Sequence, residues 1–420
     1  MTKVKIHNHD EKNIHKALKK FILNAARRMR SGRPIAVALT RSQPKKWRAI
    51  MLYAIIACSA ALCIQAVDLF YHRFDFATLP APAQSADAVR HYRRQFRALT
   101  SKRYDNILAP LIYIRVFLWI LAANIVFHEV DNLLVDVLMV LFVAGRFRSL
   151  QEIGHHAAHG SLCPNYKFGE VITNLLYQFP AFMPEIRARH HIHVVTHHRS
   201  VNMPHDPDLK ELADKGFTPG IGEAAFWLGF LHPLTPAGLL SRLKECAGYL
   251  LEDFGRPAFY LRIICVLAVV SIYVSIGWYA ELFWLYIAQV LVIYPLFYWI
   301  AHVSLHRWFA ECADDIPYHQ REIELGRPTD FPGLMGAIIR NNLFPFGDSY
   351  HLAHSLFPAV RWNYLAGVDR LMRRASPEYE RHASSGLVFS TKGRPSAISE
   401  LRERMVKRPT GSASLSGQTV

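Results

Sequence analysis

The residues best equipped for chemistry in this chain are its histidines, and they are unevenly spread. Nine fall between Gln151 and Asp208, in the runs His155-His156-Ala157-Ala158-His159 and His190-His191-Ile192-His193-Val194-Val195-Thr196-His197-His198, with His205 beyond. Five more stand at His302, His306, His319, His351 and His354. Neutral imidazole is the commonest protein ligand for transition metals. Residues four apart share a helix face, so His155/His159, His193/His197 and His302/His306 can each point at one ion; His351/His354 has the three-residue equivalent. Four such pairs in a largely apolar chain predict a metal site rather than surface decoration.

Those pairs need rigid elements to hold them, and the composition says which. The 420 residues carry a formal charge of +16, yet 51% are hydrophobic. Apolar runs and basic stretches therefore alternate, as in a chain that crosses a bilayer. Spans are predicted over residues 47–71, 108–127, 258–275 and 282–300. A shorter run, 133–144, is predicted to continue past Arg146 as a helix leaving the lipid, which delivers residues 150–159 just outside it. Residues 168–182 and 221–240 read as interfacial, and residues 10–30 as an amphipathic interfacial helix. From Arg373 the chain is polar and is expected to be a mobile tail, with one short helix near residues 399–406.

The predicted fold is thus an all-α integral membrane protein, with transmembrane helical hairpins carrying a histidine-rich cap. Its parts are a basic N-terminal segment (1–46), a membrane domain (47–372) and the tail (373–420). Met1 to Ser42 contains no apolar stretch of the signal-peptide kind. The six cysteines are scattered without a CxxC pair, so neither a disulfide framework nor a zinc ribbon is expected. With spans present, the positive excess points to a membrane surface and not to nucleic acid. An even number of crossings separates the histidine groups, so they share one face, taken as cytoplasmic. Basic segments on both sides of residues 47–71 compete for that face, and whether this run crosses fully is left open.

At the histidines the sequence resembles the membrane fatty-acid desaturase superfamily, whose members carry three histidine boxes. His155-His156-Ala157-Ala158-His159-Gly160 is similar to the first box, HDxxHG, with His156 where an acid is usual. His193 to His198 resembles the second, as HxxxHH where HxxHH is commoner, and His205-Asp206-Pro207-Asp208 resembles the sequence that often follows it. His351-Leu352-Ala353-His354-Ser355-Leu356-Phe357-Pro358 is similar to the third, HxxHHLFP, with Ser355 in place of the final histidine. The resemblance covers residues 108–362. It implies two iron ions held by His155, His159, His193, His197, His198, His302, His306, His351 and His354, with His302 compensating for the imidazole missing at 355.

It also implies an O2-dependent oxidoreductase that desaturates an aliphatic, fatty-acyl chain, fed by a separate ferredoxin- or cytochrome-type donor. Hydroxylation or ketolation of a lipid, carotenoid or small amphipathic metabolite on the same scaffold is the alternative. A metal transporter fits less well, because the histidines lie beyond the spans. A zinc protease is disfavoured because no HExxH occurs. Metal-bound histidines usually hand their second N–H to an acceptor. Glu152, Glu185, Asp206, Asp208 and Asp348 are candidates, each read first as a solvated loop charge. Asn341 and Asn342 are candidates for holding a metal-bound water.

Overall fold

A computed structural model describes residues 44–82, 88–313 and 316–406, with side chains from residue 51 onward. The amphipathic helix expected at 10–30 and residues 407–420 lie outside the described residues. By internal contacts the chain divides into residues 1–49 and 50–420, and the second unit carries all the histidine boxes.

Long helices dominate: α1 (Pro44–Tyr71), α2 (Asp105–Glu129), α3 (Leu133–Ala158), α4 (186–200), α5 (Pro236–Asp253), α6 (Pro257–Ser275) and α7 (Tyr279–Leu305). Shorter helices follow: α8 (Tyr318–Leu325), α9 (His351–Leu356), α10 (Trp362–Ala375) and α11 (Ala397–Met405). Among the described residues the only sheet is a two-residue parallel pair, Thr329–Asp330 against Ser384–Ser385, in register Thr329↔Ser384.

Among the described residues four helices are long and apolar enough to cross a membrane: residues 51–78, continuous with α1, then α2, α6 and α7. Their outward residues are bare hydrocarbon, including Leu52, Ile55 and Ile56 on α1 and Ile264 and Leu267 on α6. In water such surfaces would be a liability, whereas in lipid they are the solvent-matched face. α1 is one continuous 28-residue helix, without the re-entrant turn that residues 47–71 left open. The run at 133–144 does continue past Arg146 as a single helix that ends at Ala158. Asp136, Arg146 and Arg148 keep α3 from ranking as a span by composition.

Two hairpins deliver the histidines. α2 and α3 are joined by a three-residue link in which the Asn132 side chain accepts from the N–H groups of Leu134 and Val135, capping α3. α6 and α7 are joined at Gly277, whose φ of 76° is open to a residue without Cβ. His128 and Glu281 bridge the far ends of the two hairpins at 2.9 Å. At the opposite end a core of Tyr92, Phe96, Ile112, Leu150, Ile153, Leu352, Phe357 and Leu365 forms the cap. Asp68 of α1, His72, Asp105 of α2 and Arg361 tie it to the spans as a buried ionic cluster, Arg361 lying 2.9 Å from Asp68 and 3.1 Å from Asp105.

The expected mobile tail is corrected over residues 376–406, which are packed. α11, the short helix anticipated near 399–406, buries Ile398, Leu401 and Met405 against Trp299, Val303 and Trp308. Its Glu400 accepts from Arg307 at 2.8 Å and Arg327 at 2.5 Å, and Arg327 donates to the carbonyls of Ser304 and His306. A polar-looking sequence therefore clamps the end of α7. Burial pushes the Glu400 carboxyl up, but Arg327 and Arg404 outweigh it and hold it down to about 2. A depressed carboxylate stabilises above its unfolded value and loses that contribution as pH falls toward 2. Glu400→Gln strands Arg327, which is fully buried, and should cost about 3 kcal/mol. Thermal unfolding at pH 7 should show that drop, and the deficit should shrink in acid.

Candidate metal centre

The second histidine run departs from ideal α-geometry in a way that matters. After Ile186–His190, residues His191–His197 form a widened turn with i→i+5 hydrogen bonding before His198–Ser200 closes as α-helix. Wide turns are often found at functional sites. Here the extra residue of HxxxHH is absorbed, so that His193 and His198 reach the same neighbours. His197 stacks on His193 at 5.2 Å but also meets His306 at 5.2 Å.

Eight of the nine expected ligands converge in two adjoining groups. In the first, the ligand atoms of His155, His159, His193, His198 and His354 all lie within 4.8 Å of one another. Nε2 of His155 is 3.1 Å from that of His159 and 2.8 Å from that of His193; Nε2 of His354 is 3.2 Å from that of His159. The second group is His197, His306 and His351, with 2.9 Å between the Nε2 atoms of His306 and His351. The groups touch through His193/His197 and His351/His354.

Helix spacing alone does not describe this arrangement. Only His155 and His159 stay together as a same-face pair within one group. His306 lies past the end of α7 in an extended conformation, φ −103° and ψ 167°, so it leaves the face of His302. His302 is not brought into ring contact with another histidine. Its ring lies against Tyr298, Trp299 and Trp308, with nitrogens 3.9 Å from Asp208 and 3.8 Å from Glu211.

The donor chemistry fits a transition metal. His155 offers Nδ1 to Glu152 at 2.8 Å, His197 to Asp206 at 2.8 Å, and His351 to Asp348 at 3.3 Å. A proton held on Nδ1 leaves Nε2 as a bare lone pair. Metal–nitrogen bonds of about 2.1 Å place neighbouring donors about 3 Å apart, close to the spacings here. Both nitrogens of buried His198 and Nδ1 of His354 have no hydrogen-bond partner. A buried imidazole without a partner is costly unless something else takes its lone pair. Burial and neighbouring imidazoles hold His155, His159, His193, His198 and His354 well below the usual histidine range, in the neutral form that ligates. His197 goes the other way: burial lowers it, but Asp208 and Asp206 lift it to about 9.

Four of the five acids read first as solvated charges are orienting groups instead. Glu152, Asp206 and Asp348 are buried against their imidazoles, and Asp208 lies 3.3 Å from His197. Glu185 does not join them and faces Arg256 at 3.8 Å. Asn341 and Asn342 do not reach the centre; Arg146 donates to the Asn341 carbonyl and the Asn342 side chain. His156 is buried and bonded at both nitrogens, to Ser161 and the Phe346 carbonyl, a wall of the site rather than a ligand.

Arg148 escaped the sequence reading. It is buried on α3 and donates to Glu152 at 2.7 Å and Asp348 at 2.8 Å, thereby joining the acid behind His155 to the acid behind His351. Its position four residues before Glu152 was the available signal. A cavity of about 510 Å³ opens beside the first group, lined by His159, His198, Val194, Leu356, Phe357 and Val360. Exposed Arg93, Arg97 and Arg199 also line it, and among the described residues none of the three pairs with a carboxylate.

Residues 132–386, well over half of the chain, match the fatty acid desaturase family. The sequence is also 27% identical to dihydrorhizobitoxine desaturase of Bradyrhizobium elkanii over 341 residues, 76% of this chain and 91% of the relative. The family match encloses all three boxes, on a helical scaffold with four candidate spans among the described residues. The protein is a membrane oxidoreductase of the desaturase type, and its chain belongs to the fatty acid desaturase family.

Proposed function

We propose that this protein is an O2-dependent, di-iron desaturase acting on an aliphatic, fatty-acyl chain. The observation that carries the reading is the two adjoining imidazole groups, the first of them beside a largely apolar cavity. Two irons bound there supply the oxidising power to break an unactivated C–H bond, which no ordinary side chain can do. The balanced reaction removes a hydrogen from each of two adjacent carbons; with O2, two electrons and two protons it yields an alkene and two waters.

The chain's own residues do the rest. Nε2 lone pairs hold the metals, while Glu152, Asp206 and Asp348 fix each ring's proton and tilt. Val194, Leu356, Phe357 and Val360 offer an apolar lining next to His159 and His198, which suits alkyl carbon and keeps bulk water away. Arg93, Arg97 and Arg199 give the cavity a cationic rim, matched to a substrate with an anionic end. Electrons come from a separate ferredoxin- or cytochrome-type protein, for which a basic cap facing the cytoplasm is a complementary surface.

The relative is named for dihydrorhizobitoxine and not for a fatty acid. That supports a second reading, in which the same centre desaturates or hydroxylates a small amphipathic metabolite. Lipid and metabolite profiling of cells making wild type or His197→Ala separates these. A product two mass units lighter than an acyl precursor, absent from His197→Ala, is expected. A gain of about sixteen would indicate hydroxylation. Identical profiles for the two proteins would contradict the proposal.

A further inference from the structure

The two imidazole groups are unequal. Five histidines form the first and three the second, and three imidazoles leave an ion one protein donor short of even a four-coordinate shell. The shortfall coincides with Ser355, next to His354 on α9, where a histidine would have projected. Ser355 is buried, and the group its hydroxyl faces is the Glu322 carboxyl.

Beside that hydroxyl stands a carboxylate that no feature of the fold explains. Glu322 lies on α8, which packs on α9, and it is 1% exposed. Its Oε1 has no hydrogen-bond partner, and among the described residues it makes no ion pair. Every other buried acid at the centre is paired: Glu152 and Asp348 with Arg148, Asp206 with His197. Tyr318, one turn earlier on the same face of α8, donates to the Ser355 carbonyl at 3.0 Å, which sets Glu322 beside the Ser355 side chain and toward His197. An unpaired buried carboxyl is expensive, and a cation supplied from elsewhere is the usual remedy.

We propose that Glu322 is a ligand of the second metal position, supplying from α8 the donor that the short side chain of Ser355 does not. The inference rests on the di-iron reading above. A mixed histidine–carboxylate set is well suited to iron. His302, the compensating ligand expected from the sequence, faces Tyr298, Trp308, Asp208 and Glu211 and does not border Ser355.

The test is iron quantitation and Mössbauer spectroscopy on the full chain purified from iron-replete cells. Wild type should hold two irons in inequivalent sites, and Glu322→Gln should fall to about one with one quadrupole doublet lost. Adding Ser355→His to Glu322→Gln should restore the second iron through an imidazole. A Glu322→Gln protein that keeps both irons with an unchanged spectrum overturns the assignment. So does a loss of iron that Ser355→His fails to repair. Wild type holding one iron or none would instead overturn the di-iron reading itself.

Discussion

Arg148→Met is expected to destabilise the protein by about 3–5 kcal/mol and to strip it of metal. The substitution keeps the approximate volume and helix propensity of the side chain but removes the guanidinium that bonds both Glu152 and Asp348. Both carboxylates are buried, so neither can turn to water for compensation. Each would hold its charge uncompensated or take up a proton, and a protonated acid is a poor anchor for an imidazole N–H. The damage therefore reaches both groups at once, through His155 on one side and His351 on the other. Denaturation of the purified protein in detergent and its iron content report the two effects separately. Arg148→Lys should recover part of the stability and less of the metal, because a single ammonium cannot span two acids as a planar fork does.

His198→Ala is expected to lower product formation at least ~100-fold while leaving the fold intact. Among the described residues neither ring nitrogen of His198 has a hydrogen-bond partner, so removing the ring breaks no side-chain network. It touches His159, His193, His197 and His354 by ring contact alone, and it lines the apolar cavity. A structural histidine in such a place would be replaceable by a residue of similar shape. A ligand is not, and the deficit should persist in His198→Phe. Turnover measured with a reduced donor, beside an unchanged melting temperature in the absence of metal, distinguishes the two roles.

Much of this centre could be read from the chain, and the parts that could not share a cause. Imidazoles at helical spacing, placed just beyond apolar runs, were enough to nominate the histidines that converge and the membrane scaffold. How they divide between two groups was not legible, because it depends on local departures from α-geometry. The widened turn at His191–His197 brings His197 to His306 while His198 joins His159 and His354, and the chain leaves α7 before His306. The orienting acids were visible only as candidates, since Asp206 and Asp208 also look like a helix-capping turn, which they form as well. Arg148 meets Asp348 across 200 residues, and Arg361 meets Asp68 across 293. No local pattern announces contacts of that range. The C-terminal clamp was misread for a related reason: Glu400, Arg307 and Arg327 are charged and look solvated, yet they satisfy one another inside the protein.

The imidazoles of α3, α4, α7, α9 and the loop after α7 are proposed to hold two irons. X-ray absorption at the iron edge, combined with iron quantitation on the same purified wild-type sample, addresses this directly. Two irons per chain, in a shell dominated by nitrogen at about 2.1 Å and in neither sulfur- nor haem-like surroundings, are predicted. A chain that binds zinc in preference, or one whose iron lies in a sulfur-rich shell, would contradict the account.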